Sequence, residues 1–132
     1  MKEEIHITNK EWYVMKCLWE QAPKTLMELV GELKVSPGWS KSTCATMVRR
    51  MTQKGLIRYE EEGKTKRFFP QIAREDVEVQ ETKDFLQRIY NGSIGMMMST
   101  LVAQDGLTGE DIAQLRQILQ EAEENQSEQK RN

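Results

Sequence analysis

Apolar residues return along the first third of the chain at intervals of three and four, the spacing that lines one face of a helix. Trp12, Met15, Leu18 and Trp19 form the first such stripe, and Leu26, Leu29, Val30 and Leu33 the second. Each stripe opens on a threonine with a glutamate three residues later, Thr8 with Glu11 and Thr25 with Glu28. That pair satisfies two free amides at a helix start. Ala22-Pro23 ends the first helix, and Ser36-Pro37-Gly38 is the turn after the second. A third helix is predicted from Ser40 to Gly55, with Cys44, Met47, Val48 and Met51 inward. Glycine suits the left-handed residue that follows a helix end. The period then changes. Leu56 to Tyr59 and Lys66 to Phe69 read as short strands around a Glu-Gly turn, closed by Pro70.

After Ala73 the pattern is helical again. A helix is predicted over 74–90, with Thr82, Phe85, Leu86, Ile89 and Tyr90 along one side and Asn91-Gly92 ending it. Ser93 opens another, bearing Ile94, Met97, Met98, Leu101 and Val102, up to a turn at Asp105-Gly106. Thr108 to Asp111 caps a last helix with Ile112, Leu115, Leu119 and Ala122 aligned. Three amphipathic helices that follow a complete small domain have little core of their own to join. Their apolar faces are expected to bury against a second copy of the chain. The predicted dimer interface is Phe85, Leu86, Ile89, Tyr90, Met97, Met98, Leu101, Ile112, Leu115 and Leu119. From Glu123 onward the residues are polar, and a frayed end is expected.

Helix, helix, helix, then a basic hairpin is the order of parts in a winged helix-turn-helix. The expected fold class is therefore mainly α with a small β-hairpin. A winged helix-turn-helix domain over 1–73 precedes a helical dimerisation region over 74–124 and a polar tail over 125–132. A module of about 70 residues has a small core, so a partner subunit would steady it.

Charge sharpens this picture. The net charge of −2 is unevenly spread: residues 1–73 hold 13 basic and 9 acidic residues, and residues 74–132 hold 6 and 12. Within 39–69 there are 8 basic residues and only 3 acidic ones, adjacent at Glu60, Glu61 and Glu62. The basic half suits phosphate while the acidic half stays clear of it. If Cys44, Met47, Val48 and Met51 point inward, then Ser42, Ala45, Thr46, Arg49 and Gln53 point outward. Short side chains there let a recognition helix approach base edges in a major groove. Ser42 and Thr43 lie in the first turn, within reach of phosphate or base. Thr46 offers a methyl to thymine. Arg49 and Arg50 follow one turn on, and Lys64, Lys66 and Arg67 on the hairpin would reach flanking phosphates or the minor groove. The predicted DNA-binding set is Ser42, Thr43, Ala45, Thr46, Arg49, Arg50, Lys64, Lys66 and Arg67.

Other chemistries find little support. There is no Ser-His-Asp set, no Gly-rich phosphate loop and no Cys or His cluster with ligand spacing. No catalytic residue, metal or cofactor is expected, and the chain does not read as an enzyme. Cys17 and Cys44 read as core residues of a reducing compartment, and His6 as a lone terminal residue. Trp12 and Trp19 read as core anchors, and so does Trp39. Met97 and Met98 read as interface filling, and Glu60–Glu62 as a solvated wing tip. No apolar run is long enough to span a membrane, and the N-terminus lacks a signal-peptide core, so a cytoplasmic protein is expected.

Four segments carry a family resemblance: Ile-Thr-Asn-Lys-Glu-Trp-Tyr-Val-Met-Lys-Cys-Leu-Trp19, the Thr43 to Arg50 helix running on to Gln-Lys-Gly-Leu56, Gly63-Lys-Thr-Lys-Arg-Phe-Phe-Pro70, and Phe85-Leu-Gln-Arg-Ile-Tyr-Asn-Gly92. Together they resemble the penicillinase repressor family, the BlaI/MecI/CopY group of bacterial regulators, from Ile7 to about Ala122. The resemblance implies a homodimer with N-terminal winged helices for double-stranded DNA and interlocking C-terminal helices. It implies repression at a palindromic operator with TACA/TGTA-like half-sites. Thr43 and Arg50 match recognition-helix positions of the family, and Lys64 a basic position of the wing. Ala45 stands where family members often carry a basic residue. The tail lacks the cysteine cluster of the copper-responsive branch. In the β-lactam branch a membrane sensor protease triggers cleavage in the C-terminal helices. The matching region here is Thr100–Leu101, without the family's asparagine–phenylalanine bond. Two other readings stand beside the repressor: a winged-helix protein-interaction module, and a ligand-responsive regulator with a small molecule near Met97.

Overall fold

The structure, a computed structural model, describes residues 6–131. Its first elements are α1 (Asn9–Glu20), β1 (Lys24–Thr25), α2 (Leu26–Val35), α3 (Lys41–Lys54), β2 (Ile57–Glu62) and β3 (Thr65–Pro70). Then follow α4 (Arg74–Tyr90), α5 (Ile94–Ala103) and α6 (Gly109–Arg131). The helices start where the capping pattern predicts. At both Thr8 and Thr25 the hydroxyl accepts from the backbone N–H three residues on, and that residue's carboxylate accepts from the threonine amide. Ser40 caps α3, and Gly55 closes it at φ 86°, donating to the Met51 and Thr52 carbonyls.

Fully buried Val14, Met15, Leu18, Leu29, Leu33, Cys44 and Met51 bring the first three helices together, and Ile57 and Phe68 add the sheet. Val14 was not in the predicted stripe of α1, whereas Trp12 and Trp19 are only half-buried and stack edge to face at 5.5 Å. Trp19 lies at the margin, where its indole N–H donates to the Ile72 carbonyl at 3.0 Å. A period of 3.6 leaves the flank of a stripe ambiguous, and wide rings suit a margin where the N–H keeps a partner. Trp39 packs against the core as predicted, edge to face with Tyr13.

The sheet departs from the predicted hairpin in two ways. It has three strands in the order β1-β3-β2, because Lys24 and Thr25 pair antiparallel with Phe68 and Arg67. A two-residue strand leaves no alternating pattern to read. The strands are also longer than predicted, with Glu60 to Glu62 inside β2 and the turn at Gly63 and Lys64. Gly63 has φ 66°, a conformation favoured by glycine. Lys24 is buried, its ammonium 2.6 Å from the Glu32 carboxylate of α2.

The chain divides into two compact units, one through Thr82 and one from Lys83, with α4 shared between them. The first takes in Val77 of α4, which is fully buried. The second holds the remainder of α4 with α5 and α6, and none of the residues of α5 is fully buried. Its end is not frayed as expected: α6 continues past Glu123 to Arg131. Glutamate and glutamine are good helix formers, and propensity here outweighs the lack of an apolar face.

One ion pair ties the start of α1 to the end of α3. Lys54 Nζ donates to the Glu11 carboxylate at 3.0 Å and to the His6 carbonyl at 3.2 Å. Burial pushes the Glu11 carboxyl up, but the Thr8 amide and Lys54 together outweigh it and hold the group below its ordinary 4.5. A carboxyl lowered in the folded state adds stability above its unfolded pKa, and that contribution fades as pH falls through the folded pKa. Glu11→Gln is expected to cost about 1–3 kcal/mol at neutral pH. In urea unfolding at stepped pH, the gap to the parent should close below about pH 4.5. A gap independent of pH would remove the ionic contribution.

Candidate nucleic-acid interface

The inward stripe of α3 fixes what its outer side presents. With Cys44, Val48 and Met51 buried, a rotation of about 100° per residue places Ser42, Thr46, Arg49, Arg50 and Gln53 on the far side. Ala45 and Thr52 lie on the flank toward the hairpin, and Thr43 on the other flank. Arg49, Arg50 and Gln53 are exposed, and Thr46 is half-buried. Thr52 returns its hydroxyl to the Val48 carbonyl at 2.7 Å.

The first turn is less free than the sequence implies. Ser40 Oγ accepts from the Thr43 amide at 3.2 Å and donates to Thr43 Oγ1 at 3.0 Å. Ser42 Oγ lies 3.2 Å from Ser40 Oγ. The Ser42 and Thr43 hydroxyls are therefore partly engaged in the cap, and Thr43 is turned away from the hairpin.

Strand alternation sorts the basic residues of the hairpin. Directly opposed residues share a face of the sheet. Tyr59 opposes Phe68, with rings 5.9 Å apart, and Lys66 Nζ sits 4.5 Å over the Tyr59 ring. These three, with Lys64, face α3. Arg58, Glu60, Arg67 and Phe69 occupy the other face. There the Arg58 guanidinium lies 4.3 Å from the Phe69 ring centre and 2.9 Å from Glu60. Arg67 Nε donates to Glu62 at 2.7 Å.

The cations of the hairpin are thus divided between its faces: one step along the strand turns Arg67 away from Lys64 and Lys66, and there it pairs with the exposed Glu62. The acidic run is solvated as expected but lies along β2 rather than at the tip, and Glu60 and Glu62 pair with the two arginines of that face. Ala45, Arg49, Lys64 and Lys66 do gather around one groove between α3 and the hairpin, about 500 Å³ in volume. Thr25, Leu26 and Met27 complete its rim. The unrecognised β1 hid their place beside the hairpin, and no sequence periodicity could have revealed it.

The two thiols are unsuited to reactivity at neutral pH. Burial pushes the Cys44 thiol up, and burial with the nearby Glu32 carboxylate does the same to Cys17.

Three helices, a three-stranded antiparallel sheet and a basic outer side on the third helix define a winged helix-turn-helix protein. Residues 7–121 match the family model described as penicillinase repressor. A penicillinase repressor of Bacillus licheniformis is 34% identical over 121 residues, covering 92% of this chain and 94% of that one. The methicillin resistance regulatory protein MecI of Staphylococcus aureus strain N315 is 25% identical over 113 residues, covering 86% and 92%. The solution structure of monomeric B. licheniformis BlaI in complex with the blaP half-operator superposes with a TM-score of 0.51 at 32% identity. That match covers 58% of this chain and 93% of the other. The chain belongs to the penicillinase repressor family.

Arg49→Ala and Arg50→Ala are each expected to weaken binding to a preferred DNA duplex. A contact to phosphate would lower the salt slope by about 1, and a contact to a base would relax one position by about 1–3 kcal/mol. Arg67→Ala should change affinity by less than about 0.5 kcal/mol. Fluorescence anisotropy at stepped salt measures all three, and a larger loss for Arg67 than for Arg49 would overturn this division of the hairpin.

Proposed function

We propose that the chain is a sequence-specific transcriptional repressor that binds double-stranded DNA as a homodimer on a palindromic operator. The observation that carries this reading is the two-sidedness of α3. Its inner side is locked in the core, and its outer side offers small, hydroxylic and arginine side chains beside a lysine-bearing hairpin. Ser42, Thr46, Arg49, Arg50 and Gln53 would enter a major groove. Lys64 and Lys66 would neutralise flanking phosphate, with the steep salt dependence that counterion release brings. The penicillinase repressor and methicillin resistance regulator among the relatives, and the half-operator bound to BlaI, support an operator of β-lactam resistance genes.

The second unit supports the dimer. In a single chain Ile89 is 53% exposed, Ile94 62% and Leu119 62%, and Phe85, Leu101 and Ile112 are exposed too. Apolar area of this extent on α4, α5 and α6 favours burial against a second copy. Two recognition helices would then reach half-sites about one helical turn apart. The chain would act in the cytoplasm; among the described residues no helix is long and apolar enough to cross a membrane. Relief by a membrane sensor protease system would cut near Thr100 and Leu101 in α5. A helical bond must open locally before a protease takes it, and cleavage would separate the subunits and their joint hold on DNA.

Titration of a duplex carrying a TACA/TGTA palindrome against a scrambled duplex, read by anisotropy at two salt concentrations, tests the reading. The expected result is preference for the palindrome, saturating at two chains per duplex. Equal weak binding to both, or none, would overturn this operator, and selection of a preferred site from random DNA would then separate a diverged operator from an interaction module. Leu119→Glu is expected to turn the dimer into a monomer in analytical ultracentrifugation and to abolish the two-chain complex. A parent chain that sediments as a monomer would remove the homodimer.

A further inference from the structure

We propose that the groove between α3 and the hairpin binds an amphipathic aromatic carboxylate, and that its occupancy competes with DNA. A volume of about 500 Å³ is the size of a small-molecule site. Its walls are apolar: Leu26 and Met27 from the start of α2, Val48 from α3, and the Tyr59 and Phe68 rings from the hairpin. The Met27 side chain is 59% exposed and Tyr59 is 41% exposed, so apolar surface is left open to water there. Duplex DNA offers such a wall little, since the backbone it presents to a hairpin is charged sugar-phosphate.

The neutral polar residues of the lining are Thr25, Thr52, Gln53 and Thr65, and its charged residues share one sign. Arg49, Lys64 and Lys66 stand at the rim. Among the described residues no carboxylate pairs with Arg49 or Lys64, and Lys66 rests on the Tyr59 ring. Of the hairpin's three glutamates, Glu60 and Glu62 pair with Arg58 and Arg67 on the other face, and Glu61 stands opposite Lys66 outside the groove's lining. An aromatic ring would cover the apolar walls while its carboxylate met the guanidinium and ammonium groups, a charge-assisted contact beside a low-dielectric floor. Because Arg49, Lys64 and Lys66 also belong to the proposed DNA surface, ligand and duplex would compete for the same cations. The site differs from the Met97 region, and the competition, unlike the binding itself, rests on the repressor reading.

The test uses the full chain, labelled with ¹⁵N and free of DNA, titrated with 2-naphthoate and with neutral 2-naphthamide. Saturable amide shifts at Leu26, Met27, Tyr59 and Phe68 are expected, with the carboxylate binding about ten-fold more tightly than the amide. Met27→Glu should weaken 2-naphthoate binding by about ten-fold or more. It leaves the fold intact, because Met27 is exposed in the first turn of α2, where a carboxylate is favourable. Adding 2-naphthoate to the native complex with its duplex should then raise the apparent dissociation constant linearly with free 2-naphthoate, doubling it where the site of the free chain is half occupied. Shifts confined to α5 and α6, no shifts, or an unchanged affinity in Met27→Glu would overturn the site. Equal binding of the neutral amide would overturn the carboxylate assignment. Binding in the groove without effect on the duplex complex would overturn the competition. A chain that binds the carboxylate but no duplex would remove the repressor reading and leave the site standing.

Discussion

Everything in the first unit depends on how α3 is held. A helix has one rotational setting that buries Cys44, Val48 and Met51 together, and those three side chains are almost wholly removed from water. Any other setting would expose them and bury an arginine, at a cost far above the few kcal/mol that stabilise a small domain. The core therefore aims the outer face as well as stabilising the inner one. Capping by Ser40 and Gly55 fixes the helix ends, and the Lys54–Glu11 pair ties its last turn to the start of α1. Ions at the margin of the core thus help orient a helix whose outward side meets the partner.

The hairpin applies the same logic with a period of two. One face carries Tyr59, Phe68 and Lys66 toward α3, and the other carries Arg58 and Arg67 with their glutamates. A basic hairpin is therefore basic toward α3 only. Lys64 and Lys66 leave that face a net positive charge beside Arg49 although Glu61 stands opposite Lys66, while the opposite face is nearly neutral. This division also leaves an apolar hollow beside the lysines, because the rings that anchor the hairpin to the core do not fill the space toward Met27.

The second unit has a different physical character. Its helices leave large side chains such as Ile94, Val102 and Leu119 exposed. Residues past Glu123 remain helical through backbone propensity, and the turn before them carries the Gln117 amide donating to the Glu121 carboxylate at 3.4 Å.

By itself the chain determined the features that arise within a few residues: where α1, α2 and α3 begin, where α3 stops, and which side of α3 faces inward. Those follow from threonine–glutamate capping, a left-handed glycine and a period of 3.6, all local effects. It also placed positive charge on α3 and the hairpin. Only the tertiary structure decided the pairing of Lys24 and Thr25 with β3, because so short a strand exists through its partner alone. Strand alternation already separates Arg67 from Lys66, but only the tertiary structure decided which of the two faces α3 and that Glu62 reaches Arg67. The groove beside Met27 likewise arises where three elements distant in sequence meet, and long-range packing leaves no periodic trace in any one of them.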